Sequence, residues 1–237
     1  MKVLVIGGGG REHAIIWKLA QSKNVSKIYC APGNGGIADL AECVPIDVMD
    51  FEKLTKFAKE NNIDLTVVAP DVPLAAGAVD AFEANGLRAF GPNKAAAIIE
   101  GSKSFSKDLM KKYNIPTADY EVFENSTDAI NYIKANNKFP VVVNAVGLAL
   151  GKGVIIAITF EEAENAVHDI LDDKIFGSAG AKVVVEDFLT GPEISVLAFT
   201  DGKTMKPMVS AQDHKRAFDN DEGPNTGGMG TFSPSRI

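Results

Sequence analysis

A chain of 237 residues, 46% hydrophobic and 23% charged, has the make-up of an ordinary globular protein and is long enough for one or two domains. Its net charge of −7 argues against general affinity for nucleic acid backbones or anionic membranes. Any anionic ligand must then be held by local basic groups and backbone amides.

The first apolar run, Val3 to Ile6, reaches Gly7 too soon to be a signal-peptide core, and no later run approaches a membrane span. A cytoplasmic protein is expected. The run reads as a strand over 2–6, followed by the turn Gly7–Gly10 and an amphipathic helix with Ala14, Ile15, Leu19, Ala20 and, in part, Trp17 on its apolar side. Cys30 and Cys43, the only cysteines, lack CxxC spacing and histidine partners, so both read as reduced, buried thiols. A second strand is expected over 27–31, ending in Pro32-Gly33-Asn34-Gly35-Gly36. Asp50 reads as the N-cap of a helix with Phe51, Leu54, Phe57 and Ala58 on one face. A strand over 65–69, broken by Pro70-Asp71, a helix over 75–85 and a strand over 88–90 complete a parallel βαβ series. Its strands are apolar on both sides, as in a sheet covered by helices on both faces.

Past Gly101 the pattern changes. A lysine-rich helix over 102–113 places Phe105, Leu109 and Met110 inward, with Lys107, Lys111 and Lys112 in solvent. A strand over 120–123 and a helix over 126–136 follow, then two β-branched runs around Gly147–Gly153. A helix over 160–171 and a strand over 182–186 come next. Glu193–Thr200 and Thr204–Ser210 are joined by Asp201-Gly202, a hairpin signal. The last segment, rich in Gly, Pro and Asn, reads as irregular. The fold class is α/β: a parallel, Rossmann-like domain over 1–101, then a second domain over 102–237.

Three segments suggest phosphate chemistry. Gly147-Leu-Ala-Leu-Gly151-Lys152-Gly153 holds three glycines and a lysine between two strands. Glycines let backbone N–H groups approach phosphate oxygens, and the lysine adds a charge. It is not a Walker A loop, which needs four residues between its glycines and a helix afterwards. Gly7-Gly-Gly-Gly10-Arg11-Glu12-His13 lies between strand and helix, where anions bind; a purely structural turn is the other reading. A dinucleotide fingerprint fails there, because Glu12 stands where Gly or Ala belongs and the second strand ends without an acidic residue. Asp213-His-Lys-Arg216 and Gly223-Pro-Asn-Thr-Gly-Gly-Met-Gly230 are dense in polar groups and glycine. His13 and His168 match no metal spacing, and no metal ligand is assigned.

Taken in order, Gly7–His13, Ala31–Gly36, Gly91-Pro92, Glu100-Gly-Ser-Lys103, Gly147–Gly153, Gln212–Arg216 and Gly223–Gly230 resemble the phosphoribosylamine–glycine ligase (glycinamide ribonucleotide synthetase) family of the ATP-grasp superfamily. The resemblance implies a pre-ATP-grasp domain followed by an ATP-grasp domain, its small lobe over about 115–190 and its large lobe begun. It also implies a reaction of purine biosynthesis. ATP phosphorylates glycine, and 5-phosphoribosylamine attacks the glycyl phosphate to give glycinamide ribonucleotide, ADP and phosphate. Lys103 and the flap residues Gly147, Gly151, Lys152 and Gly153 are implied to contact ATP phosphates. Glu186, Asp187, Phe188 and Leu189 are implied to frame the adenine, and Glu193 the ribose. Gly9, Gly10, Arg11, Glu12 and Asp71 fall on the phosphoribosylamine side. Asp213 and Lys215, with Gly227 and Gly228, fall where glycine and the sugar meet. Small molecules are the expected partners, with no nucleic acid and no membrane.

The chain departs from the family pattern Val-Val-Lys-Ala-Asp-Gly at Asn144 and Val146. Alternation puts both on one strand face, the one expected to see the nucleotide. The family's Mg²⁺-holding motif is expected beyond Ile237, which leaves the large-lobe sheet with an open edge. A non-catalytic nucleotide- or sugar-phosphate-binding module is the alternative reading.

Overall fold

The N-terminal apolar run forms β1 (Lys2–Gly7), the centre of a parallel sheet that also contains β2 (Lys27–Pro32), β3 (Glu42–Cys43), β4 (Leu65–Val68) and β5 (Ala89–Phe90), in the order β3-β2-β1-β4-β5. The computed structural model describes residues 1–147 and 153–236, apart from the side chains of Ser178 and Asp221. The chain folds into two compact units, Met1–Ser106 and Lys107–Ile237. The first unit carries helices α1 (Gly10–Leu19), α2 (Phe51–Glu60), α3 (Asp71–Ala76), α4 (Ala78–Ala84) and α5 (Lys94–Gly101). The division runs through α6 (Lys103–Lys112).

Successive strand residues point to opposite faces, so the sheet builds two cores. Leu4, Ile6, Tyr29, Ala31 and Val68 pack with Leu54 and Ala58 of α2 and Phe82 of α4. Val3, Val5, Ile28, Cys30 and Val67 pack with Ile16 of α1 and with Ile37. The C-terminal ends of β1, β2 and β4 deliver three loops: the glycine turn, Gly33–Gly36 and the Pro70-Asp71 corner. Parallel α/β sheets bind ligands at that edge.

Several expectations change here. Glu12 and Ile16 form the inner face of α1, and Trp17 is 57% exposed. Spacing of four places both on one helical stripe, with Leu19 half-buried beside it. The helix expected over 75–85 is two, separated by Gly77, whose φ of +100° ends α3. Strand β3 is a two-residue edge strand, and Asn93 is the N-cap of α5, its side chain accepting from Ala96 N–H.

In the second unit β6 (Tyr120–Phe123), β7 (Val141–Ala145), β8 (Val154–Ala157) and β9 (Val183–Asp187) form an antiparallel sheet in the order β6-β9-β7-β8. Helices α7 (Ser126–Asn136) and α8 (Phe160–Leu171) cover one face. Ile133, Ala163, Val167 and Ile170 pack there against Val141, Val143, Ala145, Val183 and Val185. Alternation sends Tyr120, Val142, Asn144, Val184 and Glu186 to the other face. In α6 no residue is fully buried, and Phe105, expected inward, is exposed.

The Asp201-Gly202 hairpin forms as β10 (Ala198–Thr200) and β11 (Met205–Pro207), with Asp201 Oδ1 accepting from the Lys203 and Thr204 N–H groups. The last segment, expected to be irregular, is a second hairpin, β12 (Gln212–Phe218) with β13 (Glu222–Phe232). Asn220 at φ 60° supports its turn, and two register shifts absorb the glycine-rich stretch. Leu197, Phe199, Met205 and Val209 are exposed.

Two measurements check this packing. In urea denaturation Ile16→Ala costs about 2–5 kcal/mol, whereas Trp17→Ala costs under about 1. Burial, with Cys43 and Glu12 nearby, pushes the Cys30 thiol from 9.0 up to about 12. The unfolded chain therefore loses this proton first, and stability falls as pH rises from about 9 to 12. Replacing Cys30 by Ala removes that part of the alkaline slope.

Candidate functional site

The glycine turn follows from its first and last residues. Gly7 has φ of +124°, and a Cβ there would lie 2.5 Å from Glu12 Cγ. Glu12 is 5% exposed and folds back so that its Oε2 accepts from Gly9 N–H at 2.6 Å, capping its own helix. The other loops lock on. Gly33 N–H donates to Gly7 O at 3.1 Å, and Asn34 Nδ2 donates to Gly8 O at 2.8 Å while its Oδ1 accepts from Ile37 N–H. Arg11 Nη1 reaches Asp71 Oδ1 at 3.2 Å and Ala69 O at 3.3 Å. Gly9, Gly10, Arg11, Glu12 and Asp71 thus converge at the sheet edge, beside an exposed guanidinium and the N-terminus of α1. Such a place suits an anion. Asn34, which ties the two glycine loops together, was not singled out by its sequence; its only signal is its place among glycines.

In the second unit the site lies on the sheet face that carries no helix core. Asn144 is 3% exposed, and its Nδ2 donates to Glu186 Oε1. The Asn144 Oδ1 is buried and has no hydrogen-bond partner. Lys107, expected in solvent, is turned inward: its Nζ pairs with Glu186 Oε2 and donates to Thr117 Oγ1 at 2.8 Å and Ala118 O at 3.4 Å. The Lys107 and Glu186 side chains are 15% and 17% exposed. Tyr120 lies beside them, its ring 5.6 Å from Lys107 Nζ and its hydroxyl donating to Asp108 at 2.6 Å. Desolvation, then Asp108, pushes the Tyr120 phenol up to about 12. Sequence reading missed Lys107 because nothing local separates it from the neighbouring lysines of the same helix.

Strands β7 and β8, which flank the glycine-rich segment 147–153 in sequence, pair antiparallel. Ala145 N–H donates to Gly153 O at 2.9 Å, and Gly147 N–H to Ala179 O at 3.1 Å. Gly151 and Lys152 lie outside the described residues. Asp187 ends β9, with Lys138 Nζ at 3.5 Å, while Phe188 is half-buried and Leu189 exposed. Lys103 opens α6 in the first unit.

Glu193, Lys215 and Asp213 come together. Lys215 Nζ pairs with Glu193 Oε1 and lies 3.8 Å from Asp213 Oδ2, and Asp213 Oδ1 is buried without a partner. Burial opposes the Lys215 charge, but Glu193 and then Asp213 outweigh it, and its pKa is raised. Thr226 Oγ1 donates to Lys215 O at 2.8 Å and accepts from Gly228 N–H at 3.1 Å, which holds the Gly227–Gly228 stretch of β13 against β12.

Comparison with known proteins adds an independent finding. Residues 1–100 match "Phosphoribosylglycinamide synthetase, N domain" and residues 101–237 match "Phosphoribosylglycinamide synthetase, ATP-grasp (A) domain". The phosphoribosylamine–glycine ligase of Halalkalibacterium halodurans is 58% identical over 234 residues, which are 99% of this chain and 54% of that protein. The chain thus spans about half the length of the curated relatives it matches. The crystal structure of phosphoribosylamine–glycine ligase from Thermotoga maritima superposes with a TM-score of 0.85 at 33% identity, covering 100% of this chain and 56% of that one. An ADP complex of N5-carboxyaminoimidazole synthetase from Staphylococcus aureus, 16% identical, shares the fold, with a TM-score of 0.71 over 100% of this chain and 58% of that one.

The glycine turn can be tested by its cap. Glu12→Ala strands the Gly9 N–H and opens a void at the turn, costing about 1–2 kcal/mol in chemical denaturation. Glu12→Gln, which still accepts from that N–H, recovers most of the loss.

Proposed function

The chain belongs to the phosphoribosylglycinamide synthetase family, and from that premise we propose that it takes part in the ATP-dependent ligation of glycine to 5-phosphoribosylamine. The reaction proceeds through glycyl phosphate and yields glycinamide ribonucleotide, ADP and phosphate, a step of purine biosynthesis in the cytoplasm. The observation that carries the reading is the helix-free face of β7 and β9. There Asn144 of β7 donates to Glu186 of β9, and β7 also pairs with β8, the strand that follows the glycine-rich segment 147–153 in sequence.

In this reading Glu186 to Leu189 receive the adenine, Glu193 the ribose, and Lys103 with Gly147–Gly153 the phosphates. Gly9 to Glu12 and Asp71 hold the sugar phosphate. Lys215 and Asp213, with Gly227 and Gly228, attend the glycine carboxylate and the attacking amine. Such chemistry needs little proton transfer from side chains; it needs positive charge and dipoles where phosphoryl charge spreads. Lys215, kept protonated by its two carboxylates, supplies such a charge. Glu193, paired with Lys215 in this structure, must exchange that partner for ribose hydroxyls when nucleotide enters.

A divalent cation ordinarily neutralises the β- and γ-phosphates in this class of reaction. Among the described residues no group of three or more His, Cys, Asp or Glu could hold a metal ion. These residues do not fit Mg²⁺ by themselves, and no step is assigned to it. Likewise, among the described residues no helix is long and apolar enough to cross a membrane.

Phosphate release is to be assayed with glycine, 5-phosphoribosylamine and ATP, using this chain alone and this chain joined to the second half of a relative. Release that requires both substrates in the joined protein is expected. ATP binding without release in either protein favours the alternative, a non-catalytic binding module. A second test addresses the altered strand. The double variant Asn144→Lys, Val146→Asp regains a charge-assisted phosphate contact and binds ATP about 10- to 100-fold more tightly by calorimetry. Unchanged affinity removes this strand face from the nucleotide site.

A further inference from the structure

Lys107, in the second unit, is largely buried and has three partners. Its ammonium donates to Thr117 Oγ1 and Ala118 O and pairs with Oε2 of Glu186, while Asn144 Nδ2 takes Oε1. Two donors on two elements, α6 and β7, therefore set both oxygens of one carboxylate. A free glutamate at a strand end rotates about three bonds; this one does not.

The result is a fixed set of acceptors. An ion-paired carboxylate only accepts hydrogen bonds, and the buried Asn144 Oδ1 beside it is a further acceptor left without a donor. A ligand group matched to this set must bring N–H donors. A carbonyl oxygen placed there meets oxygen lone pairs, gains no hydrogen bond from the set and leaves Asn144 Oδ1 without a donor.

We infer that Lys107 is a positioning residue that fixes the Glu186 carboxylate as acceptor for an exocyclic amino group, and so selects a 6-aminopurine nucleotide over a 6-oxopurine one. The inference rests on the reading above, in which the base lies at Glu186 to Leu189. Lys107 itself touches no phosphate; its ammonium is spent on Glu186, Thr117 and Ala118. Asn144 holds the same carboxylate from the other side. The selectivity consequently belongs to three residues: Glu186 and Asn144 present the acceptors, and Lys107 acts only through Glu186.

ATP and ITP differ at the 6 position, amino in one and oxo in the other, and at the adjoining N1, unprotonated in ATP and N–H in ITP; purine riboside triphosphate, which lacks the 6-amino group and keeps N1 unprotonated, isolates the first difference. Calorimetric titration of the parent chain with ATP and with ITP is expected to give a preference for ATP of about 10- to 100-fold, the size of one mismatched charged hydrogen bond. Lys107→Met keeps the packing of the stem and removes the charge. It is expected to bring the two affinities within about threefold, mainly by weakening ATP, and Lys107→Arg restores the preference. If Lys107→Met does not fold, as judged by its melting curve, Thr117→Val removes one anchor of the ammonium and keeps both charges. It lowers the ATP-to-ITP ratio in the same direction by a smaller factor.

The outcomes separate the two ideas. A parent chain that binds ATP and ITP equally, or a folded Lys107→Met or Thr117→Val chain with an unchanged ratio, overturns the selectivity role and leaves nucleotide binding standing. A parent chain that binds neither overturns the placement of the base and the role of Lys107 with it. A role in stability alone lowers the melting temperature of Lys107→Met without moving the ratio, and so also counts against the inference.

Discussion

The ion pair between Lys107 and Glu186 organises the second unit's open face. A buried carboxylate is expensive unless charge and hydrogen bonds compensate it, and removing one partner of such a pair strands the other. Here compensation comes from three places: the ammonium of α6, the Asn144 amide of β7, and the short connection at Thr117-Ala118 that holds the ammonium in turn. Because the partners sit on separate elements, the carboxylate is fixed only once helix, connection and sheet have assembled. The Asn144 Oδ1, buried and unmatched, marks the same spot as unfinished. Polar groups left in this condition are rare in folded proteins, and each calls for a ligand or a cost.

The first unit reaches a comparable result with backbone. Its glycine turn has no side-chain cation at its centre. Glu12 closes the start of α1, Asn34 ties the turn to the next glycine loop, and Arg11 leans on Asp71. The exposed guanidinium and the helix terminus then provide positive potential on a chain whose net charge is −7. One unit thus gathers anion-binding dipoles at the edge of a parallel sheet. The other presents acceptors on a helix-free sheet face.

Asn144 and Val146 remain the chain's distinctive positions. The resemblance implies a lysine and an aspartate there; this chain has an amide that bonds Glu186 and a half-buried valine. The amide keeps Glu186 company without adding charge, so the Lys107 pair is its only ionic support among the described residues. Nothing in the structure explains why both positions changed together.

Much of the fold was legible because it depends on short-range patterns. Continuous apolar runs marked β1, β4 and β7; Asp50 marked the start of α2; Asp201-Gly202 marked a hairpin. The order of seven motifs was enough to suggest the family, since motif order survives without any knowledge of distance. The misreadings have local causes too. Gly77 divides a helix that composition alone runs together, and the glycine-rich tail pairs as β12 and β13 because cross-strand bonds outweigh weak strand propensity. What required tertiary structure was the fate of individual polar side chains. Lys107, one of several lysines on a polar helix, became the partner of Glu186 on a strand far along the chain, and Glu12 turned inward to cap its own helix. Period and composition determine which face of an element is apolar. Which charge meets which is decided only when elements distant in sequence pack together, because electrostatic partnership depends on separation in space and on the water that packing excludes.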